Sequence, residues 1–302
     1  MKTRILAVLS AAALAVGATG CTPTATDRPL IVVTTNILGD VVENIVGDEA
    51  GVLTLMKPNA DPHSFEISAR EASLLHTADL LVSNGLGLEE GLQQHLDSAA
   101  ANDVPKLVAG DQIDALDYAD GDAAGMPDSH FWTDPGRMMD VVAALDTAIS
   151  DIEGVDPMVI SANTTRYLVD LQDLDDTMAD AFTRIPENQR ALVTNHHVFG
   201  YLADRFGFRV IGAIIPGGTT LAAPSASDLR DLVSAVNDAG VRTIFAESSQ
   251  PDRLAQVLAD EAGLDVSVVE LYTESLTAPG DGAEDYLTMM QVNTDRIVTG
   301  LS

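Results

Sequence analysis

Basic residues are scarce in this sequence, cysteine is almost absent and aromatic rings are few. Lysine and arginine number 16 against 46 aspartates and glutamates, a formal net charge of -30. Such a surface repels phosphate backbones and anionic headgroups, which excludes nucleic acid as a partner. It draws in cations, and its ordinary role is to keep a protein soluble, as in a salty habitat. Cys21 is the one cysteine. It has no partner in the chain for a disulfide, and a thiolate zinc cluster is excluded with it. Any metal site must therefore use histidine and carboxylate. Aromatics make up 4% of the chain, and no motif for an adhesive aromatic patch is visible. Beyond the N-terminus, no stretch is long and apolar enough to span a bilayer, which needs about 20 residues.

Hydrophobic residues are 46% of the 302, ample material for two lobes of ordinary domain size. At the N-terminus, Lys2 and Arg4 precede an apolar run from Ile5 to Val16, the pattern of a secretory signal. Ala18-Thr19-Gly20-Cys21 follows and resembles the bacterial lipobox. That resemblance implies cleavage before Cys21, a lipid on its thiol and a chain held on the outer membrane face. Residues 1–20 are thus expected to be a signal peptide, and the proline-bearing 21–29 a lipidated tether.

From residue 30 onward, strand-like and helix-like segments alternate. Leu30 to Thr34, Gly51 to Met56, Leu80 to Ser83 and Lys106 to Val108 read as short strands. Asn36 to Val46 and Ala69 to His76 have helical spacing. The same grammar returns with strands at Ala191 to Thr194, Val210 to Ile215, Thr243 to Ala246 and Val266 to Leu271. Helices are expected at Phe199 to Phe206, Ser227 to Ala239 and Pro251 to Ala262. This is an α/β chain of two lobes, each a mainly parallel sheet flanked by helices. Between them, Asp156-Pro157 starts a helix, and Ile160, Tyr167, Leu168, Leu171, Leu174, Met178 and Phe182 recur at three- and four-residue steps. The pattern stops at Ile185-Pro186, giving one rigid helix of about 28 residues, roughly 42 Å long. The expected units are an N-terminal lobe over 30–155, the long helix over 156–186 and a C-terminal lobe over 187–302.

Six histidines remain to be placed. His63, His130 and His196 each lie in a turn-rich stretch beyond a strand, and ligands in open α/β sheets bind outside the carboxyl ends of strands. Neutral imidazole suits zinc and its neighbours in the first transition row. For any one of them, satisfying a loop backbone is the ordinary alternative. Three in like positions point to a site. His76 closes a helix and His95 lies on a polar helix face, so neither is expected in it. His197 adjoins His196 but points elsewhere; it is kept as a supporting or alternate ligand. A closed tetrahedral site needs a fourth ligand, and in so acidic a chain composition cannot choose it.

Four segments, in order, carry a family likeness: Asp61-Pro62-His63-Ser64-Phe65-Glu66, Asp128-Ser129-His130-Phe131-Trp132-Thr133-Asp134-Pro135, Thr194-Asn195-His196-His197-Val198-Phe199-Gly200-Tyr201, and the tail from Leu271. Together they resemble the zinc/manganese solute-binding lipoproteins of bacterial metal ABC importers. The resemblance implies one metal ion held between two α/β lobes joined by a long helix. It implies His63 and His130 as N-lobe ligands and His196 as the first C-lobe ligand. The last ligand of the family is an aspartate, whose place is taken here by Glu274, in Leu271-Tyr272-Thr273-Glu274-Ser275-Leu276. Glutamate keeps the carboxylate and reaches one methylene further. Glu247, just after a strand, is the supporting group or weaker ligand candidate.

Three imidazoles and one carboxylate favour Zn2+ as cargo, one ion per chain, with Mn2+ next. Asp111 to Asp128 is acidic but holds no histidine, unlike the histidine-rich loop of many zinc-importing members. It reads as a solvated loop or a weak cation funnel. The implied partner is the membrane permease of an ABC importer, met by a monomer. Two alternatives are a zinc-dependent hydrolase, built on three histidines and an open position, and a surface adhesin. No helix-borne H-E-x-x-H supports the first, so the chain is not read as an enzyme.

Overall fold

In the computed structural model, which describes residues 28–119, 123–215, 217–249, 253–262 and 266–302, the β-branched run after the tether forms β1 (Leu30–Val33). The signal segment 1–20, Cys21 and most of the tether lie outside the described residues. The chain turns directly from β1 into α1 (Asn36–Val46), capped by Thr35, whose hydroxyl accepts from the Leu38 N–H at 3.4 Å. β2 (Gly51–Thr54), α2 (Ala69–Leu75), β3 (Leu80–Ser83), α3 (Gln93–Ala101), β4 (Lys106–Val108) and α4 (Pro135–Ser150) complete the first lobe. The second lobe runs β5 (Ala191–Thr194), α6 (Gly200–Phe206), β6 (Arg209–Ala213), α7 (Ala226–Ala239), β7 (Thr243–Glu247), α8 (Arg253–Ala262), β8 (Ser267–Leu271) and α9 (Tyr286–Leu301). The long helix between them is α5 (Pro157–Phe182); in the numbering of the chain it precedes β5.

Both sheets are wholly parallel and have the same order, β2-β1-β3-β4 and β6-β5-β7-β8. The expectation of two parallel sheets with flanking helices holds. In each sheet the strand order reverses beside its first strand, between β1 and β3 and between β5 and β7. Crevices for ligands open at the carboxyl ends of such reversals.

α5 has 26 residues, about 39 Å at 1.5 Å per residue. Asp156 caps it, accepting from Met158 N–H at 2.9 Å, and Pro157 supplies the preset backbone of its first turn. Its buried stripe is Ile160, Thr164, Tyr167, Leu171, Leu174, Met178 and Phe182, and it packs on α1, α4 and α9. Ile160 and Leu171 are fully buried, each such burial being worth about 1.5–3 kcal/mol. The helix stops at Phe182, short of Ile185. Ile185 is buried but not helical, because Pro186 after it disfavours the α conformation. One apolar cluster runs from Ile31 and Val33 of β1 through α5 to Phe245 of β7 and Leu271 of β8. The two lobes therefore share a core, and α5 lies inside it rather than acting as a bare strut. β2 and β6 end two residues before their expected limits, and α9, read only as a motif, is a 16-residue helix capped by Asp285. No helix among the described residues is long and apolar enough to cross a membrane.

Candidate metal centre

His63 and His130 are aimed by the same local device. Asp61 stands two residues before His63 and its Oδ1 accepts the His63 N–H at 2.8 Å. Asp128 stands two residues before His130 and its Oδ1 accepts the His130 N–H at 2.9 Å. An aspartate bonding its own backbone two residues on makes a tight turn, which points the next side chain inward. Asp128 does more: the same oxygen lies 2.8 Å from His130 Nδ1, fixing the ring so that Nε2 faces the cleft. Gly200 is needed beside it, since a Cβ there would lie 2.6 Å from Asp128 Oδ2. His196 follows β5, with its carbonyl accepting from the Thr194 hydroxyl at 2.7 Å. Its Nδ1 rests directly against Glu247, the last residue of β7. The two residues thus flank the strand-order reversal of the second sheet.

Glu274 comes from the loop after β8. Trp132 of the first lobe donates from Nε1 to the Thr273 carbonyl at 2.8 Å, and Asn36 Oδ1 accepts from Leu276 N–H at 3.0 Å. These bonds hold the loop from both sides and present Glu274 to the cleft. Oε1 of Glu274 lies 3.0 Å from His63 Nε2, 3.3 Å from His130 Nε2 and 3.1 Å from His196 Nε2. The Nε2 atoms of His130 and His196 are 3.2 Å apart. For bonds of about 2.0–2.1 Å to a central ion, a tetrahedron has edges of roughly 3.3–3.4 Å. The three separations from Glu274 and the one between His130 and His196 come close to that edge, and the ligand atoms of all four nearly inaccessible residues lie within 4.8 Å of one another. Oε2 of Glu274 is buried without a hydrogen-bond partner, although carboxylate oxygens ordinarily find one.

The charges are tightly linked. Burial pushes Glu274 upward, but charge on His196 and hydrogen bonds from the three imidazoles outweigh it and hold the carboxyl well below its usual range. Burial pulls His130 and His196 down; Asp128 and Glu274 raise the first above its ordinary value, and Glu247 and Glu274 raise the second well above it. Burial raises Glu247, which His196 partly offsets. Imidazoles raised in this way hold protons more readily than free ones, and a cation entering among them would compete with those protons.

His197 lies outside the cluster; its N–H donates to the Gly217 carbonyl at 3.3 Å. Glu247 is behind His196 rather than among the converging ligand atoms. His76 caps the end of α2 and is exposed, and His95 is half-buried on α3. The acidic loop before His130 carries a short bridge between Asp117 and Pro127. Tyr118, which sequence reasoning did not single out, leaves this loop to place its hydroxyl 3.2 Å from His130 Nδ1. Burial pushes that hydroxyl up, so it stays protonated. Asp128, Asn36 and Trp132 were also not singled out. Only Asp128 left a signal, the spacing it shares with Asp61 relative to the following histidine.

A family model described as zinc-uptake complex component A, periplasmic, matches residues 31–300. Among curated proteins, the manganese-binding lipoprotein MntA of Halalkalibacterium halodurans is 31% identical over 274 residues, 90% of this chain and 88% of that one. The zinc-binding protein TroA of Treponema pallidum is 30% identical over 319 residues, covering 100% of this chain and 99% of its own. The solved structure of that periplasmic zinc-binding protein superposes with a TM-score of 0.84 at 26% identity, over 91% of this chain and 99% of the other. A manganese-bound periplasmic protein from Candidatus Liberibacter asiaticus shares the fold, with a TM-score of 0.80 at 23% identity over 91% and 100% of the two chains.

Proposed function

The chain belongs to the family of the periplasmic zinc-uptake complex component A, and from that premise we propose that it captures one zinc ion at His63, His130, His196 and Glu274 and delivers it to an ABC importer. The observation that carries the proposal is the convergence of three Nε2 atoms on one carboxylate oxygen, at 3.0, 3.3 and 3.1 Å. Nitrogen-rich, four-coordinate ligation suits zinc; manganese, the second choice, takes more oxygen ligands. The metal is cargo, so binding must be tight enough to gather it and reversible enough to release it.

The proposal extends to how the chain is deployed. Residues 30–155 and 187–302 are the two lobes, and 156–186 the rigid connection. A lipid on Cys21 and the tether 21–29 hold a monomer at the outer membrane face, within reach of the permease. The hydrolase alternative requires a free coordination position for water. Glu274 fills the fourth corner of the tetrahedron, which leaves none.

Calorimetric titration of the metal-free chain with zinc tests the reading. One equivalent should bind, and His63→Ala should remove most of the heat. A strain lacking the protein should grow poorly under zinc starvation and recover with added zinc. Wild-type protein that takes up neither zinc nor manganese would overturn the metal-capture reading. Growth defects confined to manganese starvation would replace zinc by manganese.

A further inference from the structure

The two sides of the cleft are closed by different means. On one side the lobes share the continuous apolar core, and buried bonds join them: Trp132 to the Thr273 carbonyl, and Asn36 Nδ2 to Ser275 Oγ at 2.9 Å. On the other side the second lobe offers the loop from Gly217 to Thr220, which follows β6. Its base is held by the His197 N–H on the Gly217 carbonyl. Two residues of the first lobe meet it. Tyr118 lays its ring on Gly218 and donates to the Gly218 carbonyl at 3.4 Å. A Cβ on Gly218 would lie 2.3 Å from the Tyr118 oxygen, so this seat exists only because the residue is glycine. Asp61 Oδ2 accepts from the Thr220 hydroxyl at 2.6 Å.

Each clasp also touches a histidine of the cluster. Tyr118 reaches His130 Nδ1, and the other oxygen of Asp61 holds the His63 backbone. We propose that the Gly217–Thr220 loop is the exit gate of the metal site, latched by Tyr118 on Gly218 and by Asp61 on Thr220. Tyr118, Gly218 and Thr220 are positioning residues that set how fast the cargo enters and leaves. The physical reason is the contrast between the two sides. Local opening is easiest where polar, half-buried bonds replace apolar packing. Opening the core side would instead expose the shared core and strand the buried Asn36 and Trp132 bonds.

This inference rests on the metal-capture reading. The test is stopped-flow kinetics of zinc on the full chain, with association followed directly and dissociation driven by a chromogenic chelator. Thr220→Val removes one clasp while leaving the Asp61 bond to His63 in place, and Gly218→Ala unseats the tyrosine ring. A gate makes a specific demand: when it is unlatched, association and dissociation rates rise together while the equilibrium constant moves little. The Gly218→Ala/Thr220→Val double variant should speed both by at least about fivefold, a change read against the usual rule that variants alter mainly dissociation. Tyr118→Ala should speed both likewise, and Gly218→Ala should then add nothing in that background, since the ring it displaces is gone. The latch is overturned if the double variant speeds release by less than about fivefold, if release alone accelerates, as a damaged ligand set would give, or if Gly218→Ala acts additively with Tyr118→Ala. Wild-type protein that binds neither zinc nor manganese removes both the gate and the capture reading. Normal zinc binding with unlatched variants at wild-type rates removes the gate alone.

Discussion

Nε2 of His63, from the first lobe, lies 3.0 Å from Oε1 of Glu274, from the second, although 211 residues separate them. An ion held by both residues would tie the lobes in the native state only. Such a ligand stabilises by RT ln(1 + [L]/Kd), about 4 kcal/mol at a thousandfold excess over Kd. Zinc should therefore raise the melting temperature clearly. His63→Ala or His196→Ala should abolish the rise, and His95→Ala should leave it intact. A melting curve unmoved by saturating zinc and manganese contradicts a site between the lobes.

The proton inventory of the cluster makes metal capture depend on pH. His130 and His196 are raised above the ordinary histidine value of about 6.5. In the metal-free chain their protonation contributes stability that is complete below that value and lost as pH rises through the raised ones. Glu274, held well below its ordinary value, contributes stability above that value and loses it as pH falls through the lowered one. Zinc has to displace the imidazole protons, so its affinity should increase from pH 6 towards 8. Calorimetry in buffers of different ionisation enthalpy should register protons released on binding. Identical heats across those buffers at pH 6 and 7 are the contrary result.

Glu247 touches His196 and is placed to act through it rather than on the ion. A carboxylate behind a ligating imidazole fixes its tautomer and raises its basicity, and its loss typically costs about 10–100-fold in metal affinity. Glu247→Gln keeps size and removes charge. The expected outcome is a loss in that range, together with a shift of the pH profile that a packing defect would not cause. An unchanged affinity and profile would show that His196 needs no such support.

Cys21→Ser tests the anchor. Without the thiol no thioether lipid can form, so the variant should move from the membrane fraction to the soluble one. Equal retention of variant and wild type on membranes counts against lipidation.

Much of this architecture could be read from local pattern. Asn36 to Val46, Leu80 to Ser83 and Ala191 to Thr194 fall where periodicity and β-branching put them, because each buries a face with a period of its own. Where strands shortened, as at β2, the backbone still bonds onward, Leu55 N–H to the Val33 carbonyl at 2.9 Å, without regular strand geometry. The histidines were visible because strand ends are where such folds place ligands. Glu274 was not: it entered through family likeness, and the residues that aim it, Asn36 and Trp132, act from more than a hundred positions away. Tyr118 and Gly218 were hidden for the same reason. Their contact joins a loop of one lobe to a loop of the other, and no period connects them.

Diffraction from crystals of the chain grown with zinc, recorded on either side of the zinc absorption edge, locates the bound ion among its ligands. One anomalous peak should lie about 2.0–2.2 Å from Nε2 of His63, His130 and His196 and from an oxygen of Glu274. A peak elsewhere, or one with both Glu274 oxygens beyond about 3 Å, would contradict the four-ligand site.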